Sequence, residues 1–80
     1  MILSELLNRF EDDAGTQVRI RILDMYYNTL RIAIITPDST LLDLIPYLAY
    51  RIISWSIEWN WDDFLPEFSI VINAKKSDFN

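Results

Sequence analysis

A chain of 80 residues supports one hydrophobic core, so a single domain spanning residues 1–80 is expected. Its apolar content of 51% excludes extended disorder, and the lack of cysteine and histidine removes disulfides, the usual zinc ligands, the thiol nucleophile and the common neutral-pH proton shuttle. A net charge of −5 opposes approach to a phosphate backbone, so nucleic-acid binding is disfavoured.

In chain order, Ile2, Leu3, Leu6, Leu7 and Phe10 recur at helical spacing opposite Ser4, Glu5, Asn8 and Arg9, which predicts an amphipathic N-terminal helix. Gly15, the only glycine, is placed to end it in a left-handed turn. No basic segment precedes these apolar residues, and no apolar run reaches the roughly 18 residues of a membrane helix, so a soluble, cytoplasmic chain is expected, without membrane association. Val18, Ile20 and Ile22 then alternate with Arg19 and Arg21, and Leu30, Ile32 and Ile34 alternate with Arg31 and Ala33. Two strands joined through MYYN as a hairpin follow. If both apolar sets share a face, opposed residue numbers sum to an even value, and a sum of 54 sets Arg21 against Ala33 rather than Arg31.

Pro37 ends the second strand, and Asp38 or Ser39 is placed to cap a short helical segment over residues 40–45. Pro46 is expected to split residues 41–50 into two short turns lying across the sheet. From Arg51 the period returns to two, with Ile53, Trp55, Ile57, Trp59 and Trp61 on one side and Ser54, Ser56, Glu58 and Asn60 on the other. A loop containing Pro66 leads to a last strand through Phe68, Ile70 and Ile72, and the tail KKSDFN is expected to fray. The whole reads as an α+β fold: N-terminal helix, β-hairpin, short helical segment and second β-hairpin, in one four-stranded, mostly antiparallel sheet.

Little of this carries catalysis. Glu11, Asp12 and Asp13 read as solvated charge at a helix end, no glycine-rich phosphate loop is possible, and no metal, cofactor or enzymatic activity is expected. Arg19, Arg21 and Arg31 are expected on the outer face of the first hairpin, where with Tyr26 and Tyr27 they form the one surface suited to nucleic acid. The stretch ISWSIEWNWDDF holds all three tryptophans. A strand of ten residues would be roughly 33 Å long, more than its cover spans, so Trp55 is assigned to the core and the overhang to the hairpin tip. Trp59, Trp61, Asp62, Asp63, Phe64 and Leu65 are therefore the candidate protein-binding residues, an apolar cluster rimmed by acids suited to a basic surface.

The opening LSELLNRFEDDAGTQVRIRILD resembles a recurrent class of small proteins encoded in bacteriophages and prophages of Gram-positive bacteria. These begin with a leucine-rich short helix, an acidic turn and a strand of the form V-x-I-x-x-x-D; IPYLAY before RIISWSI is similar to their proline-containing turn before the third strand. MYYN stands where their first hairpin turn has a glycine. The resemblance implies an accessory protein in the host cytoplasm that binds and inhibits or modulates a host protein, most concretely an anti-CRISPR or other anti-defence inhibitor. A self-associating structural or regulatory module, such as a homodimer, is the alternative.

Overall fold

The computed structural model describes residues 1–13, 17–35 and 41–79, with side chains for all of these except residues 9–13 and 41–42. The turn expected at Gly15, the cap expected at Asp38 or Ser39 and the side chains of Glu11, Asp12 and Asp13 lie outside that description. Helix α1 (Leu3–Asp13) is followed by β1 (Val18–Leu23), β2 (Thr29–Ile35), a 3-10 helix (Leu41–Tyr47), β3 (Ile52–Asn60), β4 (Leu65–Ile72) and a 3-10 turn (Lys76–Phe79). This is the α+β arrangement that the sequence periods predict.

The strands form one sheet in the order β2-β1-β4-β3. Both hairpins, β1 with β2 and β3 with β4, are antiparallel, while β1 and β4 meet in parallel at the centre. That central pairing follows from tucking the second hairpin beside β1. Pro66 fits because β4 pairs with β1 only from Glu67 onward, so its missing N–H removes no bond between those two strands.

One face of the sheet is covered. Leu3, Leu6 and Leu7 of α1 and Leu44 and Tyr47 of the 3-10 helix enclose Ile20, Ile22, Ile35, Phe68, Ile70, Ile72 and Ala74. The helix is anchored at its start, where Leu3 N–H donates to Tyr50 O and Ser4 N–H to Leu48 O. Pro46 does not split the covering segment as expected. It lies one residue from the end of a continuous 3-10 helix, where a lost donor interrupts little of the ladder.

The first hairpin departs from the expected register. Opposed residues sum to 53 along most of its length, as in Ile20 with Ala33 and Arg21 with Ile32, after a bulge that leaves Leu30 unpaired. One extra residue exchanges the two faces of a strand, so Ala33 and Ile35 point to the core, and Ile32 and Ile34 are exposed beside the arginines. The cause lies in the turn. Asp24 is fully buried and its carboxylate accepts from the N–H groups of Tyr26 (2.8 Å) and Asn28 (2.9 Å) and from the Asn28 amide (3.2 Å). Asp24 N–H also donates to Asn28 O, which sets the turn before the bulge shifts the ladder.

Residues 75–79 of the tail are not frayed as expected. Asp78 accepts from Lys75 N–H at 2.8 Å, and the turn this closes brings Phe79 to ring distances of 4.9 Å from Tyr47 and 5.4 Å from Tyr50. No helix among the described residues is long and apolar enough to cross a membrane.

Candidate functional site: an aromatic ledge on the edge strand

β3 is an edge strand, and its apolar stripe is on the covered side of the sheet: Trp55 lies opposite Ile70, Ile57 opposite Phe68 and Trp59 opposite Pro66. The cover stops short of it. Ile52 is the partly buried residue of β3 that packs against the core, and a bulge at Ile53 separates it from the regular strand beyond. Trp55 is 53% exposed, Ile57 55% and Trp59 48%, which overturns the placing of Trp55 in the core. The overhang begins at Trp55 rather than at the tip. Trp55 leans on Phe68, ring centroids 5.8 Å apart, and its outer side faces solvent.

At the tip, Asn60 pairs with Leu65 and residues 61–64 form the turn. Asn60 Oδ1 accepts from Asp63 N–H at 2.9 Å, a side-chain contact that closes the loop, and Phe64 completes it at φ 53°. Trp61 (74% exposed) stands edge-on to Trp59 at 6.2 Å, and Phe64 is 68% exposed. The candidate residues therefore divide. Trp59, Trp61, Asp62 and Phe64 are exposed at this end of the ledge, whereas Asp63 is paired with Arg19 and Leu65 is half-buried on the opposite face, in line with Glu67. Ile57 and Trp55 belong to the same ledge and were missed, because period-two alternation shows which side a residue takes but not whether anything covers it.

The opposite face carries an ion-pair network instead. Glu67, nearly buried, accepts from Arg19 Nε at 2.6 Å, lies 3.7 Å from Arg21 Nη2 and receives the Asn60 amide at 3.5 Å. The bond to Glu67 raises the Arg19 pKa against the opposing effect of burial, and Asp63 acts in the same direction. Arg31 is not on this face: its partner in β1 is Ile22, so it lies on the covered side, where it meets Asp43 at 3.0 Å. The expected three-arginine surface is thus divided between two faces, and each arginine has a carboxylate partner.

Burial by itself would raise the pKa of Asp24, but the donors from Asn28, Tyr26 and Lys76 outweigh it and hold the carboxyl below its ordinary value. It is the aspartate of V-x-I-x-x-x-D, and its position makes it structural: it ties the first hairpin turn to the end of the sheet, where Met25 N–H donates to Ala74 O. Among the described residues, no three carboxylates gather in a way that could hold a metal ion. No family model, curated protein or solved structure matches this chain.

Proposed function

We propose that this protein is a non-catalytic binding module that docks on another protein through the ledge of Trp55, Ile57, Trp59, Trp61 and Phe64. The observation that carries this reading is the exposure of five large apolar side chains along β3 and the turn that ends it. Taking about 150–250 Å² for each aromatic, the strip leaves on the order of 500 Å² in contact with water, the size of patch that small soluble proteins keep for binding. Tryptophan is also the residue that most often dominates interface energetics. Asp62, exposed in the turn that follows Trp61, gives this end of the strip an acidic border suited to a basic partner surface. Inhibition of a host protein by a phage or prophage factor, in its most concrete form an anti-CRISPR or other anti-defence inhibitor, is the role implied by the sequence resemblance, and it rests on that resemblance alone.

The test is affinity capture from a bacterial lysate with the wild type beside the double variant Trp59→Ala/Trp61→Ala. Retention of a defined protein by the wild type and its loss with the variant, which still unfolds cooperatively at a melting temperature only a few degrees lower, is the expected result. Equal retention by both chains would remove the ledge from the interface.

A further inference from the structure

The exposed ledge lies on a strand whose other edge is unpaired. β4 occupies one side of β3. On the other, among the described residues, only the start of the strand is taken: Ile2 bridges to Arg51, and Ile52 N–H donates to Met1 O at 2.9 Å. The bulge at Ile53 follows, and from 54 to 60 the edge is regular and open. Natural edge strands are kept from pairing by lysine, proline, inward charges, bulges or shortness. Residues 54–60, SWSIEWN, have one charge, Glu58, and no proline or lysine. The opposite edge strand, β2, has both Arg31 and a bulge.

We propose that this open edge pairs antiparallel with the same edge of a second copy, about a two-fold axis through Ile57. The pairing names one occupant of the ledge's strand and rests on the reading of that ledge as a binding surface. Its register follows from three constraints. Apolar faces stay together only if opposed numbers sum to an even value, and the open edge is centred on residue 57, which gives Trp55 opposite Trp59, Ser56 opposite Glu58 and Ser54 opposite Asn60. Moving the axis to Glu58 would set two carboxylates against each other. Moving it to Ser56 would bring Trp59 against the bulged Ile53, beside the edge already bridged by Met1 and Ile2.

Charge favours the same choice. Just past the paired strands, the turn bearing Asp62 meets the end of the other copy's edge held by Met1 and Ile2, near Arg51, at both ends of the interface. Neither Asp62 nor Arg51 has an ion-pair partner among the described residues of its own chain. The aromatic cross-strand pairs join two ledges into one strip, and the paired backbone with the facing flanks of these side chains supplies the buried area, a small interface beside the about 800 Å² per partner of an ordinary stable one.

The absence of cysteine makes the register directly testable. In the paired form, residue 57 of each copy lies roughly 4.5–5.5 Å from its equivalent between Cα atoms, within disulfide range, while residue 55 lies about 13 Å from its own. Sedimentation equilibrium from micromolar to near-millimolar concentration should show twice the 9.5 kDa chain mass for the wild type and the single-chain mass for Ile57→Lys, with the variant still folded by circular dichroism. Mild oxidation should cross-link Ile57→Cys and not Trp55→Cys. A wild type that stays at 9.5 kDa throughout, or equal cross-linking at both positions, overturns the pairing. A monomeric wild type whose partner capture is still lost in Trp61→Ala would remove the pairing and keep the ledge as a binding surface. A dimer with this cross-link and no captured partner would support the pairing and leave no separate protein target.

Discussion

Tyr27 and Phe64 both stand in the left-handed region, at φ 66° and 53°, without the glycine that such positions favour. Tyr27 is well exposed, so its side chain returns little to the fold. Tyr27→Gly is expected to raise stability by roughly 0.5–1 kcal/mol, read as a higher urea midpoint at unchanged slope. Asp24 is the opposite case, a residue whose side chain organises its turn. Its carboxyl pKa is held down in the fold, so the stability it contributes is complete above the unfolded carboxyl value of about 3.9 and is lost as pH falls through the lower folded value. Asp24→Asn should therefore melt below the wild type at neutral pH and converge with it in acid, as measured by thermal unfolding across that range.

At the scale of elements, the leucines of α1 and the tryptophans of β3 look alike as periodic apolar sets and differ in energetic role. Leu7 is 1% exposed within the core, and Leu7→Ala should cost about 2–5 kcal/mol. Trp59→Ala removes a larger side chain from a half-exposed site and should cost less than about 1 kcal/mol. Comparing the two urea midpoints checks the assignment. A Trp59 loss as large as that of Leu7 would return the ledge to the core. The elements themselves were legible from their periods: α1, both hairpins and the covering segment fall where the spacing predicts them. Two single-residue bulges were not. Leu30 and Ile53 have the composition of ordinary strand residues, and only the buried Asp24 turn and the bridge at Ile2 show why the ladder steps there.

For the whole molecule, the decisive feature is the parallel contact of β1 with β4, which joins Arg19 to Glu67 across most of the chain. Such long-range pairing must close a large loop before it yields contacts, so refolding is expected on the millisecond-to-second scale of mixed and β-rich domains. Stopped-flow tryptophan fluorescence measures this directly. Microsecond folding would contradict the topology. The same pairing puts the first hairpin beside the second and leaves β3 at the edge, which makes the ledge a consequence of strand order.

The sequence by itself determined the α+β class, the order of the helix and the four strands, and the poverty of catalytic side chains, because these depend on composition and on periods of 2 and 3.6 that local geometry imposes. It also singled out the tryptophan strand. Only the tertiary structure decided which strands are central, which face of β2 looks inward, and that Trp55 and Ile57 lie outside the core with Trp59. A side chain's direction is a local property of the chain. Whether another layer lies over it depends on residues far away in sequence.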